Sequence, residues 1–321
     1  MRDKFILAII AVIVFAYFFP QAASGGGILS LERISGIGIS LIFFFYGLRL
    51  APEKLRAGLK NWRLHLLIQS STFLLFPLLV LPFYALAHSD HQQLLWLAVF
   101  FLAVMPSTVS SSVMMVGIAK GNIPAAIFNA SISGIIGIVV TPLWLGIFTV
   151  SVGGSGDLSS VYFNLCLEII FPVVLGIVLQ RWWGEFARLH EKKLALFDKA
   201  VILSIIYRSF AHSFEERIFS NVSIGDLAIL SAAVLGLFLA VYLFIGQFAG
   251  YLQFDREDTI AAQFCGTKKS LVHGSVFLKV IFGASPAAGM IIVPLMIFHA
   301  LQILIISIIA GQLGRSSGLT K

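Results

Sequence analysis

The chain has 321 residues, of which 59% are hydrophobic and 12% are charged, and its formal net charge is +7. Soluble domains are usually about 45–50% apolar and about 25% charged, so this chain has too little polar surface to cover a globule in water. The composition argues against a soluble enzyme, a disordered regulator and a nucleic-acid-binding domain.

Ten apolar stretches approach the roughly 20 residues that a helix needs to cross a bilayer. They predict an all-α polytopic membrane protein with ten transmembrane helices. The first and seventh stretches are short, and the ninth contains Lys268, Lys269 and several glycines. In chain order the stretches cover residues 5–19, 34–50, 64–87, 94–118, 123–149, 162–180, 199–213, 225–253, 258–283 and 288–310.

Basic residues in the connections predict the orientation. Sixteen of the 22 Lys and Arg residues lie on the side of the two termini and four lie on the opposite side. Because cytoplasmic connections carry an excess of Lys and Arg, we expect cytoplasmic termini in a plasma membrane, which is the inner membrane in a bacterium. The first stretch also resembles a secretory signal peptide, but Gln21-Ala22-Ala23 is a poor cleavage site because Gln21 is not small.

The number of spans predicts an inverted repeat. Ten spans divide into two sets of five, and because five is odd the second set enters the membrane from the opposite side. Residues 1–321 would form one transporter unit, with the first repeat at 1–150 and the second at 160–312. The small-Thr-x-x-Ser pattern occurs at 107–111 in the fourth span and at 266–270 in the ninth, which are equivalent positions in the two repeats.

These two segments are also the least helical parts of the spans. Pro106 removes a helix hydrogen bond and clashes with the preceding turn, while Gly266 and Gly274 flank the two lysines. Broken helices at corresponding positions of two repeats predict a transport site. The alternative is that serine and glycine only allow close helix packing, which would not explain paired lysines.

Lys268 and Lys269 are the first candidates for function. A lysine at the bilayer centre costs about 2.5–3.5 kcal/mol, and Lys268 lies ten residues beyond Asp258, roughly 15 Å along a helix. We therefore predict that they line a cavity, where Glu168 of the sixth span neutralises one and an anionic substrate engages the other. A re-entrant or interfacial position of the lysines and an interfacial position of Glu168 are the alternatives.

Other polar side chains within the spans predict a cation site. Gln69 and Thr72, Asn129 and Ser133, and His299 and Gln302 are pairs at helical spacing, so each pair shares a helix face. Oxygen atoms that converge on a broken helix are what a sodium ion requires. The alternative for each residue is an interhelical hydrogen bond.

Two runs resemble a known family. The run from Pro106 to Asn122, followed by Thr141-Pro142-Leu143, resembles the bile acid:sodium symporter family, and the run from Phe264 to Leu271 resembles its divergent branch of bacterial symporters and vertebrate solute carrier family 10 member 7. The resemblance implies that spans 1, 2, 6 and 7 form a panel and spans 3–5 and 8–10 a core. It also implies that spans 4 and 9 cross at mid-membrane, with sodium behind the crossing and an organic anion between panel and core.

The resemblance also implies particular site residues, with a departure in the ninth span. Where the family has a glutamate and then a Gln-Asn pair, this chain has Phe264 and Lys268-Lys269. An ammonium group can take the electrostatic place of a metal cation, so we hypothesise that Lys268 stands in for one sodium ion. The expected cation-binding residues are Ser111, Ser112, Asn129, Ser133, Gln69, Thr72 and Thr267, and the expected substrate-binding or charge-compensating residues are Lys268, Lys269, Glu168, His299 and Gln302.

These features predict a secondary active transporter of a small organic anion, with sodium-coupled symport by movement of the core against the panel. The alternatives are a proton-coupled or uncoupled carrier in which Lys268 replaces a sodium ion, a channel, and a regulatory protein that transports nothing. The sequence has no HExxH motif, Ser-His-Asp order or cofactor loop, and Cys166 and Cys265 form no CxxC motif, so we predict no enzyme, zinc site or disulfide scaffold. Besides the bilayer, the expected partners are the anion and sodium, with no other cofactor, no nucleic acid and no required oligomer.

Overall fold

A computed structural model describes residues 4–23, 31–49, 61–108, 110–149, 163, 166–217, 220, 222–282 and 285–316. Within these ranges the secondary structure is helical and contains no strand. The helices are α1 (Lys4–Phe18), α2 (Leu31–Arg49), α3 (Trp62–Leu86), α4 (Asp90–Ala103), α5 (Ser110–Ile118), α6 (Ile123–Thr149), α7 (Cys166–Leu189), α8 (Glu191–Glu215), α9 (Ile224–Tyr251), α10 (Arg256–Gly266), α11 (Leu271–Phe282) and α12 (Ala288–Ser316). A π-helical turn lies within α3 at Ser71–Leu75, and another begins α7 at Cys166–Ile170.

Five of these helices, in the part of the chain that the structure describes, are long and apolar enough to cross a membrane: α3, α6, α7, α9 and α12. Shorter apolar helices lie at Leu7–Phe18 and Gly36–Arg49, where the first and second spans are predicted. The predicted fourth and ninth spans are each divided into two helices, α4 with α5 and α10 with α11. The all-helical membrane character agrees with the sequence, while the count of ten spans stays a prediction.

The helices form two compact units, each assembled from separate stretches of the chain. The first unit contains residues 1–51, 146–224 and 274–292, and therefore α1, α2, α7 and α8. The second unit contains residues 52–145, 225–273 and 293–321, and therefore α3, α4, α5, α9, α10 and most of α6 and α12. The division between the units passes through α11.

In the first unit, α2 packs along α7 through two glycines. A Cβ atom added at Gly176 would meet the backbone carbonyl oxygen of Phe44, and one added at Gly47 would meet that of Val173. Small residues allow membrane helices to approach this closely. Because the opposing atoms belong to the backbone, a side chain at either position cannot be accommodated by a rotamer change.

We expect the Gly176→Ala variant to be less stable than the wild type, because overpacking of this kind usually costs about 1–3 kcal/mol. The measurement is the Tm of the purified protein in detergent. Gly236→Ala on α9 is the matched control, because a Cβ atom there meets nothing within 4 Å. Equal Tm values for the two variants would show that the backbones of α2 and α7 can move apart to accommodate a methyl group.

Candidate functional site

The two helix breaks of the second unit contact each other. The first lies between Ala103 and Ser110, and the second between Gly266 and Leu271. The backbone N–H of Ser270 donates to the carbonyl oxygen of Pro106 at 2.8 Å, and the hydroxyl of Ser107 donates to the carbonyl of Cys265 at 2.7 Å. Both segments that the sequence predicts to be unwound are therefore unwound, and they are bonded to each other.

Neighbouring residues satisfy the backbone groups that the first break frees. The N–H of Ser107 donates to the hydroxyl oxygen of Ser133 at 2.9 Å. The Thr141 hydroxyl donates to the carbonyl oxygen of Val104 at 2.7 Å. Ser133, an expected cation ligand, thus accepts a backbone hydrogen bond that stabilises the break.

The ammonium group of Lys269 is held in a cage of three backbone carbonyls. Its Nζ donates to the carbonyl oxygens of Thr72 at 2.8 Å, Ala103 at 2.7 Å and Met105 at 2.9 Å. It also lies 4.1 Å from the centre of the Phe76 ring, a cation–π distance. Because an ammonium group has three N–H donors, Lys269 has none left for a substrate, although its charge can still compensate that of an anion.

Gln302 of α12 holds the backbone of Lys269, and His299 of the same helix contacts Gln302. The Gln302 side chain accepts from the N–H of Lys269 at 2.8 Å and donates to its carbonyl oxygen at 2.9 Å. His299 Nδ1 lies 3.1 Å from the Gln302 amide nitrogen. Gln302 and His299, expected to bind substrate or balance its charge, therefore orient a lysine on the break.

Lys268 differs from its neighbour in how its ammonium group is satisfied. Its side chain is fully buried, and its Nζ donates to the carbonyl oxygen of Ser111 at 2.7 Å. That is its only hydrogen bond to a described residue, so two of its three N–H donors remain for another acceptor. The hydroxyls of Ser111 and Ser112 lie 2.7 and 3.1 Å from that of Thr108.

Gln69 and Asn129 form a second polar cluster, together with His65. Gln69 Nε2 donates to the side-chain oxygen of Asn129 at 3.2 Å, and the Asn129 amide nitrogen lies 2.8 Å from His65 Nδ1. The side-chain oxygen of Gln69 is buried and accepts no hydrogen bond from the described residues. His65 is not among the residues predicted from sequence, although it lies one helical turn before Gln69 on α3.

The other two expected cation ligands, Thr72 and Thr267, donate their hydroxyls to backbone carbonyls four residues earlier in the chain. Thr72 donates to the carbonyl of Ile68 at 2.9 Å, and Thr267 donates to the carbonyl of Gln263 at 2.5 Å. The structure therefore brings Gln69 and Asn129 together, whereas the hydroxyls of Thr72 and Thr267 bond to carbonyls four residues earlier and that of Ser133 bonds to the first break. Of these three, Thr72 contacts the ammonium group of Lys269, and it does so through its carbonyl rather than its hydroxyl.

Glu168 has a partner other than the one we expected. Its carboxylate lies 3.0 Å from the ammonium group of Lys279, in the first unit. In the sequence, Lys279 is one of the four basic residues on the side opposite the termini. Across the described ranges, no carboxylate pairs with Lys268 or Lys269. Backbone carbonyls of α3, α5, the end of α4 and the first break accept the hydrogen bonds of these lysines instead.

Asp258 has a contact role that its position in the sequence does not indicate. Its buried carboxylate accepts hydrogen bonds from the side-chain amides of Asn61 at 2.5 Å and Asn122 at 2.6 Å. These bonds join the starts of α3, α6 and α10. We assign Asp258 a structural role, because both of its carboxylate oxygens are occupied.

Apolar helices together with two broken helices in contact, the second of which carries two buried lysines, are typical of a helical membrane transporter. The chain belongs to the SBF-like CPA transporter family, whose model matches residues 3–315. The resemblance inferred from the two runs is thereby confirmed, and the chain is an integral membrane protein of a transporter family.

Relatives with similar sequences extend over nearly the whole chain. The chain is 33% identical over 318 residues to an uncharacterized protein of Pseudomonas aeruginosa and to the Escherichia coli K12 protein named "Putative symporter YfeH". Each alignment covers 98% of this chain and 94% of the relative. The protein named "Sodium/bile acid cotransporter 7" of Danio rerio is 32% identical over 333 residues, which cover 99% of this chain and 97% of that protein.

Proposed function

We propose that this protein is a secondary active transporter that moves an organic anion by alternating access, with sodium as the coupling ion. The observation that carries the proposal is the ammonium group of Lys268. It is buried on a helix break that is bonded to a second break, and two of its donors have no acceptor among the described residues. A carboxylate, sulfate or phosphate group of a substrate supplies such acceptors.

The composition of the two units supports alternating access. The four spans expected to form a panel all belong to the first unit, and the expected core spans belong mainly to the second. We propose that movement of the core against the panel exposes the anion site to each side of the membrane in turn. The names of the relatives support symport, because one is named a symporter and others are named sodium/bile acid cotransporters.

The cluster of Gln69 and Asn129 supports a sodium site. The side-chain oxygen of Gln69 is a buried acceptor without a donor among the described residues, and the amide nitrogen of the same side chain donates to the side-chain oxygen of Asn129. Buried acceptors without donors are unfavourable, and a sodium ion bound there would remove that cost. We therefore place the coupling ion at Gln69 rather than at the lysine-bearing break.

Uptake into liposomes tests the proposed function. The purified protein is reconstituted, and uptake of a set of labelled organic anions is measured with an inward sodium gradient and with choline in its place. We expect saturable uptake of at least one anion class that requires sodium. Saturable uptake that is equal in both buffers would contradict sodium coupling, and flux that does not saturate would favour a channel.

The Gln69→Leu variant tests the sodium site separately. We expect the sodium concentration for half-maximal uptake to rise about tenfold, since a buried hydrogen-bonding group contributes about 1–2 kcal/mol. The KM for the anion at saturating sodium should change little. Gln247→Leu is the matched control, because Gln247 is exposed on α9, and an equal sodium response of the two variants would refute the assignment.

A carrier driven by protons, or by no coupling ion, is the second candidate. It is favoured by the two lysines on the second break, which have no carboxylate partner among the residues described. Uptake in sodium-free buffer that responds to an imposed pH gradient would establish proton coupling. The same uptake without a response to either gradient would establish an uncoupled carrier.

A further inference from the structure

Lys269 is buried and has no carboxylate partner among the described residues, yet every donor of its ammonium group is satisfied. Its three partners are carbonyl oxygens, at distances between 2.7 and 2.9 Å, and the face of Phe76 completes the surroundings. Lys268, its neighbour in sequence, has a single acceptor in the described part of the molecule. The two lysines therefore serve different purposes.

The carbonyls of the cage are available for reasons that do not involve Lys269. In the π-helical turn of α3, the N–H of Phe76 donates to the carbonyl of Ser71, and Pro77 has no N–H to donate to the carbonyl of Thr72. Ala103 is the last residue of α4, where carbonyls lack helical partners and the helix dipole favours a cation. The backbone of α3 and α4 thus forms a site of negative potential by itself.

We propose that the carbonyls of Thr72, Ala103 and Met105 form a monovalent-cation site that Lys269 fills permanently with its own ammonium group. A cation attached to the chain cannot be released to either side of the membrane, so this site contributes a fixed charge rather than a transported ion. This consequence rests on the proposed transport function, whereas the existence of the site does not. In this proposal Lys269, rather than Lys268 as the sequence suggested, takes the place of a cation.

The geometry defines which free ligands would suit the site. Three carbonyl oxygens arranged around one nitrogen match the donors of ammonium and of primary alkylammonium ions. A tetramethylammonium ion has no N–H donor and is too large for a space that holds one ammonium group. Shortening Lys269 to alanine should therefore create a site for methylammonium, which has the head group of the missing side chain.

The experiment measures the Tm of purified protein in detergent as methylammonium chloride is added, with tetramethylammonium chloride at equal ionic strength as the reference. We expect the Lys269→Ala variant to have a Tm at least about 5 °C below that of the wild type. Methylammonium should recover at least half of this loss in a saturable manner. The wild type and Lys268→Ala, the matched control, should show no such recovery.

A folded Lys269→Ala variant that does not respond to methylammonium would overturn the proposal, as would an equal response of Lys268→Ala. If Lys269→Ala folds only when it is extracted in methylammonium, the proposal is supported.

If it folds in neither salt, Lys269→Met decides, because methionine keeps much of the volume and removes the charge. A Lys269→Met variant as stable as the wild type would overturn the proposal, and one less stable than Lys268→Met would support it. Because these readouts require no transport, failure of the proposed function would leave them unaffected.

Discussion

Replacing Lys268 with methionine is expected to raise the KM for the transported anion about 10–100-fold, because a hydrogen bond to a charged group contributes about 1.5–3 kcal/mol. The two free donors of this buried ammonium group are the reason for the expectation. The measurement is the initial rate of uptake into liposomes as a function of anion concentration. The Tm should change less than it does in Lys269→Met, since Lys268 has one hydrogen bond to the described residues and Lys269 has three.

Lys268→Arg is the control for this prediction, because it keeps the charge and the donors. We expect the KM of this variant to lie closer to that of the wild type than to that of Lys268→Met. A Lys268→Met variant with an unchanged KM would show that the ammonium group does not bind the anion. A Lys269→Met variant that raised the KM without loss of stability would show that Lys269, and not Lys268, binds the anion.

The ion pair of Glu168 and Lys279 provides the second large expected effect. We expect Glu168→Ala to destabilise the protein by about 1–3 kcal/mol, because it leaves Lys279 unpaired in an apolar segment, where an isolated lysine costs up to about 3.5 kcal/mol. The lower part of that range allows for solvent screening, since the two side chains are 28% and 14% exposed. We expect the Tm of Glu168→Ala to be lower than that of the wild type.

A double-mutant cycle distinguishes this pair from two independent residues. We expect the Glu168→Ala/Lys279→Met variant to be more stable than Glu168→Ala alone, with a coupling energy of about 1 kcal/mol or more. Glu185→Ala is a suitable control, because Glu185 is exposed on the same helix. Additive effects of the two substitutions would contradict a functional ion pair at this position.

Local features of the sequence predict the helical character of the chain and the positions of its two breaks. The fifth stretch was expected at 123–149, and α6 covers Ile123–Thr149. Pro106 marks the first break and the glycines around the lysines mark the second, because both residue types have local effects on backbone geometry. The two buried lysines were also identified, since charge within an apolar span is visible without knowledge of the fold.

The partners of the buried charges could not be predicted from the sequence. Lys269 bonds to Thr72, which is 197 residues away, and Lys279 bonds to Glu168, which is 111 residues away. Every residue has a backbone carbonyl, so residue types do not show which carbonyls are free. Pro77 is a sequence feature that leaves the Thr72 carbonyl without a helical donor, because proline has no N–H. Hydrogen bonds from a hydroxyl to the backbone of the same segment are easier to predict from sequence. Ser and Thr often donate to the carbonyl four residues earlier, as Thr72 and Thr267 do.

The carbonyl cage has a consequence for biosynthesis. Ala103 and Met105 precede Lys269 by 166 and 164 residues, so at about 5–20 residues per second the ribosome makes the lysine on the order of ten to thirty seconds after the cage. During that interval the nascent chain exposes unpaired carbonyls, which need water or another donor within the insertion machinery. The emergence of Lys269 therefore fills the cage, while residues 293–321 of the second unit still follow, and a chain that stops before Lys269 would present quality-control proteases with an unfilled polar site.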